Sequence, residues 1–209
     1  MFFVYLTDLG LLELLCELIF VLPVVLLYSR FFRKSGWKRI FLLLIFEVYI
    51  CVMFNVVGIP SIQHIWLVPA INLIPFSDFG SSSFFFGFSM NVLMFVPFGF
   101  LLPLLWKSMR EVKYAGLAGF CLSLLIEVSQ MFSFRATDID DLIANTLGAV
   151  LGYWVWALIF GRRRKSESAA GAEKGSPIGE LIVSIAVPFL VFLFLRTPVT
   201  EYLYAVLSK

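Results

Sequence analysis

Glu127 and Gln130 stand three apart inside a long apolar run, so on a helix they share a face. Asp138, Asp141 and Asn145, at i, i+3 and i+7, do the same where the next apolar run begins, and Asn91 stands near the start of a third. Such carboxylates and amides could hold a phosphate, a peptide carboxylate, an amine or a bridging divalent cation. They could also serve as a general acid and base, with amides stabilising developing charge. Extending the Glu127 face backwards gives Ser123, Gly119 and Ala115, and Gly148 and Gly152 continue the Asn145 face as G-x-x-x-G. The faces that carry polar groups are therefore also small-residue faces, suited to close helix packing. Each residue has a plainer role to weigh. Acidic residues at a helix start offset the macrodipole and cap free N–H groups, a role open to Asp138 and Asp140. Arg135 could simply pair with the neighbouring aspartates. Asp141 and Asn145 lie deeper. Glu127 leads as a functional candidate, because an intramembrane carboxylate has no cheap structural role.

The elements that must position these groups follow from composition. Of 209 residues, 61% are hydrophobic and 14% are charged, where soluble domains carry about 25% charged residues. Mean hydropathy is +0.96. A soluble fold of this size cannot hide that much apolar surface. A soluble globule, a disordered tail and a coiled coil are excluded, leaving an integral membrane protein. A bilayer core about 30 Å thick needs about 20 apolar residues as helix. Six stretches qualify: 8–28, 39–58, 87–106, 112–133, 139–160 and 178–195. The runs are continuous instead of alternating, which argues against a lipid-facing β-barrel. The expected fold is all-α, a polytopic integral membrane protein of about six transmembrane helices.

Loop charge orients the chain. Arg30, Arg33, Lys34, Lys38 and Arg39, then Lys107, Arg110 and Lys113, then Arg162, Arg163, Arg164, Lys165 and Lys174 all fall on one side of the alternating spans. Only Arg135, Arg196 and Lys209 fall on the other. The richer side is cytoplasmic, so both termini, the loop 59–86 and the turn 134–138 are predicted outside the membrane. Basic residues in short clusters between apolar runs point to no nucleic-acid partner. Cys16, Cys51 and Cys121 sit in apolar runs as small hydrophobes, and there is no C-x-x-C pair. No cleavable signal peptide is expected. The resulting organisation is an N-terminal helix and cytoplasmic loop (1–38), a membrane core (39–160), a polar cytoplasmic linker (161–177) and a C-terminal helix with a short tail (178–209). The loop 59–86 carries Trp66, Phe76, Phe79 and Phe84–Phe86 without Lys or Arg, and should lie at the interface or fold back into the protein.

Depth ties the polar residues together. At about 1.5 Å per residue, Asn91, Glu127 and Asn145 each lie some 6–10 Å inside the outer end of their own span. With sequence neighbours antiparallel, they reach one level. Gln130 sits a turn above, and Arg135, Asp138, Asp140 and Asp141 form a rim. The prediction is one polar pocket open to the outer face. Pro97 and Gly99 are expected to shape their helix, with a kink at Pro97. Glu13, Glu17 and Glu47 in the first two spans could be protonated, could bond a neighbouring helix or could extend the pocket. Glu180 is expected to cap the last span, and His64 to be a solvated loop residue.

Four motifs then stand in order: Asn72-Leu73-Ile74-Pro75-Phe76; Asn91-x-x-x-Phe95-x-Pro97-x-Gly99; Glu127-x-x-Gln130; and Arg135-x-x-Asp138-x-Asp140-Asp141-x-x-x-Asn145-x-x-Gly148. In order and spacing, over about residues 40–160, they resemble the VanZ-like family. The resemblance implies a small bacterial membrane protein, in a family whose namesake is associated with resistance to the glycopeptide antibiotic teicoplanin. It names a context, not a reaction.

Three classes of function remain. The first is a non-catalytic envelope protein whose outer pocket binds membrane lipid, a lipid-linked cell-wall precursor or the glycopeptide itself. The second is a membrane enzyme acting on a lipid-linked substrate. The pocket offers no His, no H-E-x-x-H, no G-x-S-x-G and no nearby Cys, so no recognised catalytic motif supports it and no cofactor or metal is expected. The third is a small transporter or lipid flippase, for which Glu17 and Glu47 near midplane speak. A polar path reaching the cytoplasm would favour that third class, and a dry inner half would disfavour it.

Overall fold

A computed structural model describes residues 8–32, 36–65, 71–133, 137–167 and 177–207. Among the described residues there are seven α-helices: α1 (Asp8–Phe32), α2 (Trp37–Val57), α3 (Ser82–Leu105), α4 (Val112–Gln130), α5 (Ile139–Glu167), α6 (Pro177–Phe194) and α7 (Arg196–Leu207). Two short strands, β1 (Ile71–Asn72) and β2 (Thr137–Asp138), pair in parallel, Ile71 with Thr137 and Asn72 with Asp138. The protein is an all-α, polytopic membrane protein. Among the described residues, α2, α3, α4, α5 and α6 are long and apolar enough to cross a membrane. The remaining expected span corresponds to α1, 25 residues long, which carries Glu13, Glu17 and Arg30. Two features go beyond the sequence expectation. Helix α5 continues through 161–167, the start of the expected linker, and α7 occupies the expected tail.

The chain groups into two compact units: Met1–Trp66 with Ile178–Lys209, and Leu67–Pro177. The first unit thus holds α1, α2, α6 and α7.

In the first unit, α2 shows lipid a stripe of Phe41, Ile45, Val48 and Val52, all exposed at i, i+4, i+7 and i+11. Its opposite side is buried through Leu43, Glu47, Ile50, Cys51 and Phe54. The Phe54 ring meets Phe189 and Phe192 edge-on, with centroids 6.1 and 5.6 Å away. Gly58 ends α2 in the left-handed conformation (φ 70°), where its N–H bonds back to the Phe54 and Asn55 carbonyls.

The second unit is built on close backbone contact. A Cβ placed on Gly148 would stand 2.3 Å from the Val92 carbonyl oxygen, and one on Gly152 would stand 2.0 Å from that of Val96. One on Gly99 would stand 1.9 Å from the Ala149 carbonyl oxygen. Helices α3 and α5 thus run parallel, since 92 matches 148 and 96 matches 152, with backbone against backbone. Gly99 is a packing residue, not the helix-shaping one expected, and α3 continues as helix through Pro97 and Pro103. On the antiparallel neighbour α4, Ala115, Gly119 and Ser123 form the small stripe, and a Cβ on Gly119 would stand 2.4 Å from that of Ala149. At the far end, Tyr153 donates to the Arg110 carbonyl (3.0 Å) and the Arg110 guanidinium lies over Trp156, 5.7 Å from its centroid.

Candidate functional site

The site gathers where α5 begins. Asp138 stands immediately before α5, and its Oδ1 accepts the Asp140 N–H at 2.9 Å. This is the N-cap role open to it. Its Oδ2 accepts from Asn72 Nδ2 at 3.2 Å. Asn72 also donates to Ser77 Oγ (2.9 Å), and its Oδ1 accepts the Ile74 N–H (3.2 Å), which closes a local turn. The β1–β2 pairing and the Asn72 side chain thereby fasten the loop onto the helix start.

Asp140 is not a cap. It is buried, and both carboxylate oxygens accept the Phe76 N–H, at 2.9 and 3.0 Å. Phe76 has φ 59°, a left-handed backbone that a phenylalanine adopts only under constraint. The constraint presents its ring to Phe79, Phe84 and Phe88, with centroids 6.1–6.5 Å away. Phe84 and Phe88 stack at 5.7 Å. Ser81 starts α3 beneath them, its hydroxyl accepting the Phe84 N–H at 3.1 Å.

The other predicted residues are pinned one by one. Asn91 Nδ2 donates to Asp141 Oδ1 at 2.6 Å, joining α3 to α5. Glu127 is buried, and its Oε2 accepts the Asp138 N–H at 3.1 Å while its carbonyl accepts the Thr137 hydroxyl at the same distance. Glu127 therefore holds the chain that enters α5. Asn145 donates to Ser123 Oγ (2.9 Å) between α5 and α4, both side chains buried. Its Oδ1 is buried without a partner. Gln130 is buried at the end of α4, and its carbonyl accepts the N–H and hydroxyl of Ser133, each at 2.9 Å. Arg135 lies outside the described residues, as does Trp66.

A cavity of about 220 Å³ opens beside this cluster, lined by Asp78, Ser83, Phe84, Gly87, Phe88, Asp138, Asp140 and Asp141. Of the predicted pocket residues, Asp138 and Asp141 line it. Asn91 touches it through Asp141, and Glu127 supports it through Asp138. Asn145 belongs to the helix seam a turn deeper. The lining that sequence reasoning missed comes from the loop and the first turns of α3: Asp78, Ser83, Phe84, Gly87 and Phe88. The Asn72–Phe76 motif was the available signal, since it stood among the recognisable residues with no chemistry attached to it.

The lining is acidic and aromatic. Among the described residues, four carboxylates line it together with two phenyl rings, and no basic residue does. Carboxylates and ring faces both attract a cation, especially a desolvated ammonium group. Among the described residues, no three acidic, His or Cys side chains are arranged to hold a metal ion.

Comparison with known proteins gives a family and a relative. A family model described as VanZ/LLP1 matches residues 46–160. The chain is also 38% identical over 91 residues to Protein VanZ of Enterococcus faecium, an alignment covering 43% of this chain and 53% of that protein. It thus spans about half the length of this curated relative. No solved structure matches.

Proposed function

This chain belongs to the VanZ/LLP1 family, and from that premise we propose that it protects the envelope of a bacterial plasma membrane by binding an amine-bearing ligand in an outer-face pocket. The protection is against a glycopeptide antibiotic of the teicoplanin type. The ligand is the polar head of a lipid-linked wall precursor, an aminated membrane lipid or the antibiotic itself. One observation carries the reading: Asp78, Asp138, Asp140 and Asp141 share a cavity with Phe84 and Phe88. An anionic head group would meet four carboxylates there, whereas an ammonium meets complementary charge and ring faces. The loop and the start of α5 fall on the side that basic-residue placement predicts to be outside, where wall precursors and glycopeptides meet.

The test is protection in a teicoplanin-susceptible host expressing the full chain. Wild type is expected to raise the inhibitory concentration. Asp141→Asn and Asp138→Asn should lose that protection at equal membrane abundance, and mass spectrometry should find an amine-bearing lipid that co-purifies with wild type alone. Full protection by both variants would overturn the pocket as the operative site.

A further inference from the structure

The first unit holds polar groups that the pocket does not use. Along α2, Arg39, Glu47, Cys51 and Asn55 follow one another at multiples of four residues. Because a step of four overshoots one helical turn, this line winds slowly round α2. It faces α6 at one end and α1 at the other, and the residues at its two ends meet polar partners there. Arg39 pairs with Glu180 of α6 through two bonds of 3.0 and 2.5 Å. Glu47 comes next, beside Ser184, one turn along α6 from Glu180. Asn55 Nδ2 donates to Glu17 Oε2 of α1 at 2.9 Å. Beyond it, Glu13 of α1 lies 3.9 Å from Arg196, which also donates to the Ile59 carbonyl. From Arg39 to Asn55 the line rises about 24 Å, most of a hydrocarbon core about 30 Å thick.

The middle of this line is unsatisfied. Glu17, Glu47 and Ser184 are all fully buried. Neither carboxyl oxygen of Glu47, one oxygen of Glu17, nor the Ser184 hydroxyl has a hydrogen-bond partner. An ionised carboxylate without a partner is far more costly in an apolar interior than the neutral acid. Two such groups on neighbouring helices have no packing purpose that leucine or glutamine would not serve better. Ionisable groups within a membrane characteristically mark proton relays.

We propose that this unit carries protons across the membrane along the line, with Glu47 and Glu17 as the groups that bind them. At rest both groups are neutral acids. Glu17 releases its proton past Glu13 and Arg196, which leaves a carboxylate; Glu47 passes its proton through water beside Cys51 to that carboxylate, and a proton entering from the Arg39–Glu180 end restores the neutral Glu47. One O–H bond forms and one breaks at each step, and one positive charge moves. The gap from Glu47 to Asn55 is about 12 Å along the helix, which water must bridge. Facing Glu47 are Ser184 and Glu180 from α6 and Cys51 from its own helix. Facing Glu17 are Arg196 from α7, Glu13 and Cys16 from α1, and Asn55 and Cys51 from α2. The inference does not depend on the pocket in the other unit.

The full chain is reconstituted in vesicles holding a pH-sensitive dye, and a potassium gradient with valinomycin drives protons inward. Wild type should acidify the lumen faster than protein-free vesicles. Glu47→Gln and Glu17→Gln should lose that flux, and Glu47→Asp, which keeps the acid, should retain it. Infrared spectroscopy of the wild type near neutral pH should show a protonated carboxyl band that shifts in deuterium oxide. Wild-type flux equal to that of protein-free vesicles, undiminished flux in Glu47→Gln, or absence of the carboxyl band would each overturn the proposal.

Discussion

Removing the Asp140 carboxylate should release the loop that carries the aromatic wall of the pocket. The Phe76 N–H is held by both oxygens of a buried carboxylate. A hydrogen bond to a charged group contributes about 1.5–3 kcal/mol. Against it stands the left-handed backbone of Phe76, φ 59°, which for a residue with a side chain costs roughly 1–2 kcal/mol. The tether exceeds the strain by a small margin, so its loss should tip the segment out of this conformation. At a factor of ten per 1.4 kcal/mol, Asp140→Ala should raise the opening equilibrium of 71–80 by about 10- to 150-fold. Asp140→Asn, which keeps one oxygen acceptor but not the charge, should fall between. Hydrogen–deuterium exchange of the purified protein reads this directly, because local opening sets amide exchange. Exchange over 71–80 should accelerate by that factor, while the interior of α5 around Ala149 stays protected. Unchanged exchange over 71–80 in Asp140→Ala would refute the tether and remove the reason for Phe76's conformation.

Gly152→Ala should lower the unfolding stability in detergent by at least the roughly 1–3 kcal/mol typical of overpacking, because the new methyl meets the Val96 and Phe100 backbone, which cannot rotate away. Gly161→Ala, with nothing within 4 Å, should be neutral in the same assay. A double-mutant cycle of Asn145→Ala and Ser123→Ala should give a coupling of about 0.6–1.7 kcal/mol, the range of interhelical hydrogen bonds in membranes. Additive effects of the two substitutions would argue against that bond.

The legible parts of this protein are those written in local spacing. The helices are visible because an apolar run long enough to cross a bilayer is a one-dimensional signal. The α4 and α5 packing faces are visible because Ala115, Gly119 and Ser123, and Gly148 and Gly152, repeat at the helical interval. The depth estimate brings Asn91 to the start of α5 but levels it with Asn145, whereas it pairs with Asp141 one turn earlier. What stays hidden depends on long-range closure. Asp140 reads locally as an ordinary helix-start acid, and its grip on Phe76, 64 residues away, has no local trace. Glu180 likewise reads as a cap, and nothing near it announces that Arg39, 141 residues earlier, comes to meet it. Helix α7 escapes because 12 residues are too short to announce a span. Glu127 is marked by its depth as costly, but the N–H that offsets part of the cost comes from a chain segment folded back across it, which no local spacing announces.

The parallel seam between α3 and α5 has a consequence for how this protein can vary. Where main chain lies on main chain, there is no side chain to exchange, so natural drift and laboratory libraries alike are confined to the lipid-facing positions and the rim. Tolerated substitutions would therefore be expected to concentrate in the 72–88 stretch and leave the glycines untouched. The two helices move, if they move, as a single piece.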